Sequence, residues 1–303
     1  MQKAAEKILF DELIDDININ PSPIFILAAP RTGSTSFYKS VIEQFSLPFI
    51  ANITNEQYAN TPAIGLKKQK QHKIERFAKS QFGKTKGLYQ PSEGSAVFSN
   101  WFGGGHPSQV VSAKIIDEEQ THFINSLVAI EKLYGAPLLS KNAWNCFRVQ
   151  SLATILPKAR FIWLQRDIIA AASSDLQARY ITKKDANSWN SATPANYQKL
   201  LKRPSIEQVI ENQYEFNKAI KTNLSKFAQD RWINIWFEDY IKSPKQTFDK
   251  ISSFLNMNQT KVTPTEINIA TEGEKLPKNE QDLIVNYARL QKNHSRFSNL
   301  FYG

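Results

Sequence analysis

The fold class of this chain is decided by one stretch, Ile24-Phe25-Ile26-Leu27-Ala28-Ala29-Pro30-Arg31-Thr32-Gly33-Ser34-Thr35. Its first six residues are apolar without interruption, which is typical of a strand buried on both faces of a parallel sheet. The small residues around Gly33 predict a tight turn, and a helical pattern follows over 34–44 with Phe37 and Val41 at core spacing. A strand, a turn and a helix in this order indicate an α/β fold.

The same turn predicts an anion site at the start of the helix. The N–H groups of a first helical turn have no acceptor inside the helix, and the helix dipole adds partial positive charge there. Gly33 lets the backbone approach an anion closely, and Arg31 adds a charged, planar donor. The other candidate ligands all carry a hydroxyl group, and they are Thr32, Ser34, Thr35 and Ser36.

The turn differs from the loop that binds nucleoside triphosphates. That loop has the pattern G-x-x-x-x-G-K-[ST], in which the lysine reaches the β- and γ-phosphates. Here Ala28 stands at the first glycine and Ser34 stands at the lysine. A ligand with one 5′-phosphoryl group bearing another small anion therefore fits better than ATP.

Outward from this stretch, apolar strand patterns alternate with helical patterns. Further strands are predicted at Leu138–Ser140, Arg160–Leu164 and Trp232–Phe237, and helices at 117–134, Arg148–Leu156, Ile168–Tyr180, 205–229 and Pro244–Leu255. A leading helix is expected to end near Asp16. This alternation predicts three α/β/α layers around a central parallel sheet. We expect one domain over 1–303, with an irregular insertion at 46–110, helical additions and a C-terminal extension at 256–303.

Charge and cysteine content narrow the function classes. A net charge of +10 and a pI near 9.4 suit an anionic partner: nucleic acid, an anionic membrane surface or a nucleotide with several phosphates. The single cysteine, Cys146, excludes an internal disulfide and fits a reducing compartment. We find no apolar signal segment and no apolar run of about 20 residues, so a cytoplasmic protein without a membrane partner is expected.

Four ordered elements resemble the sulfotransferases that use 3′-phosphoadenosine 5′-phosphosulfate (PAPS), of the soluble bacterial type. Pro30–Thr35 resembles their P-[RK]-[ST]-G-[ST]-[ST] loop, and Lys141-Asn142 resembles their K-N pair. Arg166 follows a strand, and Ser174 comes eight residues later, as in the family. The fourth element is Trp236–Pro244. The resemblance implies a P-loop-like fold, with the loop on the 5′-phosphosulfate and Arg166 with Ser174 on the 3′-phosphate.

The position of Arg166 also makes physical sense without the family. An arginine at the carboxyl end of a strand lies where open α/β sheets bind ligands, and its guanidinium can donate two hydrogen bonds to a phosphate. Asp167 is expected to cap the next helix.

Sulfuryl transfer depends on positioning and electrostatic stabilisation, and no metal is expected, because the transferred group carries less charge than a phosphoryl group.

The acceptor needs a general base, for which the family uses a histidine or a glutamate. The candidates are Glu93, in Pro91-Ser92-Glu93-Gly94, and His106, in Gly105-His106-Pro107, with Glu56 as a third. All three belong to the 46–110 segment, where the family places its acceptor pocket. A surface turn for Glu93 and a loop position for His106 are the plain structural alternatives.

Several alternatives stay open. The C-terminal R-K-G element of the family's cytosolic animal branch, which supplements the 3′-phosphate site, is absent from this sequence. The spacing of Lys275, Lys278 and Lys292 selects none of them as a substitute. A P-loop-type kinase would need the missing loop lysine, and a non-catalytic protein that binds PAPS or the 3′,5′-bisphosphate would lack the base. Nucleic-acid binding ranks last, because no groove-reading motif is present. The acceptor is expected to be a small molecule or a glycan, and a homodimer is possible.

Overall fold

The computed structural model describes residues 1–14, 20–72, 77, 85–103, 114–190, 192–260, 276–292 and 300–302. Its centre is a four-stranded parallel sheet of β1 (Ile24–Ala28), β2 (Leu139–Lys141), β3 (Arg160–Gln165) and β4 (Trp232–Trp236). The strand order is β2-β1-β3-β4, and Ala28 of β1 lies opposite Leu164 of β3. The parallel sheet expected from the apolar runs is thus confirmed.

Helices cover both faces of the sheet. Their bounds are α1 (Gln2–Leu13), α2 (Ser34–Phe45), α3 (Asn52–Gln57), α4 (Pro62–Lys70), α5 (Ser95–Phe102), α6 (Gln120–Tyr134), α7 (Val149–Ile155), α8 (Ile168–Lys183), α9 (Tyr197–Leu200), α10 (Ser205–Asn223), α11 (Phe237–Lys242), α12 (Pro244–Leu255) and α13 (Lys278–Lys292). The described part also holds 3₁₀ turns at Asp117–Glu119 and Ala143–Phe147 and a π-helical turn at Leu224–Ala228.

Alternate strand residues point to opposite faces, and each face has its own apolar core. Phe25 and Phe161 join the cluster that contains residues of α5, α6 and α7. Ile26 and Ile162 join the cluster on the other face, with residues of α2, α11 and α12. Because strand side chains alternate with period two, a strand that is apolar at every position must be covered twice. The three-layer α/β/α architecture is therefore as expected.

The predicted elements differ from the structure mainly at their ends. The leading helix ends at Leu13 rather than near Asp16, and residues 15–19 lie outside the described part. The 46–110 segment contains three short helices, α3, α4 and α5, so its description as irregular was wrong where residues are described. These helices have six to nine residues, too few for a clear helical period. The predicted 205–229 helix changes to π-helical geometry at Leu224.

Within the described residues, no helix is long and apolar enough to cross a membrane.

Candidate active site

The carboxyl ends of the four strands bring the predicted site residues to one edge of the sheet. Arg31 follows β1, Lys141 ends β2, Arg166 follows β3 and Phe237 follows β4. The chain runs from β1 to β2 on one side and reaches β3 on the other, so the sheet order switches between β1 and β3. Ligands of open α/β sheets bind at this kind of switch point.

The loop after β1 has the close backbone approach that its glycine suggests. Gly33 has φ of 78°, and a Cβ placed there would lie 2.2 Å from the Phe237 ring. The Gln213 side chain of α10 donates to the Pro30 carbonyl at 2.7 Å and supports the loop from the other side. Arg31 also has a positive φ, of 67°. The loop is therefore held between α10 and the aromatic ring that follows β4.

The hydroxyl groups of the loop have different partners. Thr32 is buried, and its hydroxyl donates to the Ala29 carbonyl at 2.9 Å. Burial raises the pKa of Tyr240, whose hydroxyl donates to Ser40 Oγ at 2.8 Å, and interactions with Ser40 and Ser36 lower it in part. For Thr32 the backbone N–H is thus the group left to bind an anion. Ser34 and Thr35 are half-buried at the start of α2.

Arg31, Arg166 and Ser174 lie together at this edge of the sheet. Nε and Nη2 of Arg31 donate to Ser174 Oγ at 3.3 and 3.2 Å, and Nη1 of Arg166 donates to the Arg31 carbonyl at 3.0 Å. Burial lowers the pKa of both guanidinium groups, and for Arg166 the charge of Arg31 lowers the pKa further. Two partly buried cations this close favour binding of an anion between them.

The immediate surroundings of Arg166 fix its direction. Its guanidinium lies 5.2 Å from the centre of the Phe237 ring, and the nearby Glu238 carboxylate raises its pKa. Asp167 caps α8 through bonds from the N–H groups of Ile169 at 3.0 Å and Ala170 at 3.1 Å, which confirms the expected cap. The Asp167 N–H in turn donates to Glu238 Oε1 at 3.0 Å.

Glu93 lies at the same edge of the sheet, where Lys141 links it to the loop. The Lys141 ammonium group forms an ion pair with Glu93 Oε1 and donates to Thr35 Oγ1 at 3.4 Å. The Asn142 side chain donates to the Glu93 carbonyl at 3.0 Å. Lys141 is buried and the Glu93 side chain is 33% exposed. Glu93 is therefore not an isolated carboxylate on a surface turn.

Lys141 is a functional candidate to which the sequence argument assigned no role. The sequence contained a usable signal, because Lys141 directly follows a predicted strand and so had to lie at the carboxyl edge of the sheet. Its ion pair joins residues 48 positions apart, and sequence spacing does not predict such a contact.

The other candidates have simpler positions. Glu56 is exposed on α3, and His106 lies outside the described residues, as does Lys275. Lys278 is exposed at the start of α13. Three large aromatic residues, Trp101, Phe102 and Trp144, belong to the buried core.

Cys146 is a buried core residue, as expected. Its thiol donates to the Ala28 carbonyl at 3.4 Å, and burial raises its pKa to about 12. Across the described residues, no group of three or more His, Cys, Asp or Glu side chains is placed to hold a metal ion.

Comparisons with known proteins concern the family and the fold. The family model described as "Sulfotransferase family" matches residues 23–261. A search of curated protein sequences gives no significant match.

Solved structures with a similar fold include two mycobacterial sulfotransferases. STF9 from Mycobacterium avium has a TM-score of 0.53 at 13% identity, covering 97% of this chain and 73% of its own. STF1 from Mycobacterium tuberculosis H37Rv has a TM-score of 0.52 at 13% identity, covering 99% of this chain and 81% of its own. At this identity, these likenesses concern the fold.

Proposed function

Because the chain belongs to the sulfotransferase family, we propose that it moves a sulfuryl group from PAPS to a hydroxyl or amine of a small-molecule or carbohydrate acceptor. The other product is adenosine 3′,5′-bisphosphate. One observation carries this proposal: the Lys141 ammonium group contacts both the Glu93 carboxylate and the loop hydroxyl of Thr35. This contact places a carboxylate and a cation beside the start of α2, where the loop would hold the reacting end of the donor.

The residues at the sheet edge fit a donor with two separate anionic groups. The N–H groups at the start of α2 and the Lys141 ammonium group would hold one end. Arg166 and Ser174 would hold the 3′-phosphate, since a guanidinium suits a phosphate geometrically.

PAPS supplies the activated sulfuryl group when bound, and the protein supplies orientation and proton transfer. Glu93 Oε1 is paired with Lys141. We therefore assign Glu93 Oε2 as the atom that takes the proton from the acceptor hydroxyl. The positive charge of Lys141 lies beside Thr35, where it would stabilise negative charge on the leaving phosphate. The Arg31 side chain donates to Ser174, so its charge would lie beside the 3′-phosphate, while its backbone belongs to the loop at the 5′-end.

The donor assignment is tested by calorimetric binding of adenosine 3′,5′-bisphosphate and of ATP. We expect the bisphosphate to bind more tightly, because the loop lacks the lysine that grips a triphosphate. Tighter binding of ATP would contradict the donor assignment.

The base is tested by turnover of ³⁵S-labelled PAPS with a phenol, a sugar alcohol and a primary amine as acceptors. Glu93→Gln should lower kcat about 10²–10⁴-fold, the usual contribution of a general base, without weakening binding of the bisphosphate, since the Lys141 cation that holds the donor remains. Glu56→Gln is the matched control, since this carboxylate is exposed on α3. Unchanged kcat in Glu93→Gln together with a loss in His106→Ala would move the base to His106.

A further inference from the structure

The segment Leu300–Tyr302 packs against both elements that hold Arg166. The backbone N–H of Tyr302 donates to Asp167 Oδ2 at 3.2 Å, and its hydroxyl donates to Asp239 Oδ1 at 2.5 Å. The Tyr302 ring centre lies 5.4 Å from that of Trp236, at an angle of 60°. One residue therefore contacts the start of α8, the first turn of α11 and the end of β4.

An apolar anchor keeps this segment in place. Leu300 is 6% exposed and belongs to the core cluster that also contains Ile168 and Leu176 of α8 and Ile284 of α13. Tyr302 is 37% exposed, so its burial stabilises the segment less than its hydrogen bonds do. The apolar contact of Leu300 holds the segment beside the protein, and the polar contacts of Tyr302 set its position.

Asp167 connects Tyr302 to Arg166, the residue before it in the chain. Both Asp167 carboxylate oxygens are used, with Oδ1 on the cap of α8 and Oδ2 on the Tyr302 N–H, and the Asp167 N–H is held by Glu238. The peptide N–H that follows Arg166 is therefore fixed by Glu238, and the Asp167 side chain is fixed at both carboxylate oxygens. A fixed peptide limits the directions in which the Arg166 side chain can leave the backbone.

The bond to Asp239 connects Tyr302 to the helix that carries the Phe237 ring. Asp239 follows Glu238 in α11, and α11 begins with Phe237, whose ring lies under Arg166. The Tyr302 hydroxyl thus ties α11 to the same residue that holds Asp167. Tyr302 therefore connects the start of α8 to α11, the two elements next to Arg166.

We propose that Tyr302 is a positioning residue for the 3′-phosphate site, acting on Arg166 through Asp167 and Asp239. The inference rests on the proposed function, in which Arg166 binds the 3′-phosphate of the donor. Groups that bind a charged ligand gain affinity when their direction is fixed before binding, because less freedom is lost in the complex. Tyr302 touches no residue assigned to the 5′-end of the donor, so its effect should depend on the 3′-phosphate.

The test compares calorimetric Kd values of adenosine 3′,5′-bisphosphate and adenosine 5′-monophosphate. Tyr302→Phe removes only the hydroxyl bond to Asp239 and should weaken bisphosphate binding about tenfold, the value of one hydrogen bond to a charged group, while monophosphate binding stays unchanged. Tyr302→Ala also removes the ring contact with Trp236, so it should weaken bisphosphate binding by at least as much and again leave monophosphate binding unchanged. If Tyr302→Ala does not fold, Tyr302→Phe decides the question.

Tyr180→Ala is the matched control. Tyr180 lies near the other end of α8, is similarly exposed, and also donates its hydroxyl to a carboxylate, that of Glu280. It should leave both Kd values unchanged. Equal weakening of both ligands by Tyr302→Ala, or no weakening of the bisphosphate, would overturn the positioning role. If the unaltered protein does not prefer the bisphosphate, it is the proposed role of Arg166 that fails.

Discussion

Gly33 shows how the absence of one side chain shapes the site. Its φ of 78° is a left-handed conformation, and its α-carbon faces the Phe237 ring, on which Arg166 also lies. A side chain at this position would meet the ring and move the surface that supports the guanidinium group. The glycine thus allows the left-handed turn of the loop and leaves room for the Phe237 ring that lies next to Arg166.

Gly33→Ala should destabilise the fold and weaken the donor site. We expect the free energy of unfolding to fall by about 2–4 kcal/mol, from the steric overlap with Phe237 and the left-handed backbone together. Gly135→Ala is the control, because Gly135 has φ of 66° but nothing within 4 Å of its added Cβ. It should cost only about 1 kcal/mol. Urea unfolding measures both, and equal losses would show that the Phe237 contact is unimportant.

At the scale of the element, α8 carries two different functions on neighbouring residues. Ser174 faces the loop and accepts from Arg31, whereas Asp175 is fully buried and lies 3.7 Å from Arg179, one turn further on. Nη1 of Arg179 also donates to Gln208 of α10 at 2.6 Å and to the Ala186 carbonyl at 3.0 Å. Helix geometry places successive side chains about 100° apart, so one helix can serve the site and the interior.

Asp175→Ala should be strongly destabilising, because it leaves the Arg179 guanidinium buried without its counter-charge. Burial lowers the pKa of Arg179 and nearby Asp175 raises it, so the carboxylate favours the charged form. We expect a loss of about 3–5 kcal/mol in the free energy of unfolding. Glu207→Ala removes an equivalent but exposed pair with Arg203 and should cost at most about 1 kcal/mol. Comparable urea midpoints for the two variants would contradict this account.

At the scale of the whole molecule, α1 is joined to distant helices by one buried carboxylate. Glu6 is 2% exposed, and it accepts from the Ala63 N–H at the start of α4 and from His122 Nε2 of α6, each at 2.9 Å. The Trp101 indole N–H donates to His122 Nδ1 at 3.0 Å. An indole can only donate, so the His122 proton lies on Nε2 and is given to Glu6.

Glu6→Ala should weaken the packing of α1 on the rest of the protein. It leaves the Ala63 N–H and the His122 ring without their acceptor, which should cost about 1–3 kcal/mol of unfolding free energy. Glu12→Ala, an exposed carboxylate on the same helix, should change stability by less than about 0.5 kcal/mol. Thermal unfolding followed by circular dichroism measures both. A Glu6→Ala variant as stable as Glu12→Ala would show that α1 is held by apolar contacts alone.

The sequence alone was sufficient for the features that depend on local pattern. The apolar runs at Ile24–Ala28 and Arg160–Gln165 predicted buried parallel strands, because both faces of such strands must be covered. Arg31 and Arg166 could be named because each comes shortly after a strand, and Ser174 because the resemblance to sulfotransferases implied it. Element ends were less certain, as Leu224 shows, since the change to π-helical geometry leaves no periodic signal.

Only the tertiary structure decided which partner each side chain has. It paired the Thr32 hydroxyl with the Ala29 carbonyl, the Tyr240 hydroxyl with Ser40, and Lys141 with Glu93. It also brought Tyr302 to Asp167, 135 residues earlier in the chain. Local sequence determines strand and helix formation through backbone geometry and periodic burial. Contacts between residues far apart depend on strand order and helix packing, which no local pattern encodes.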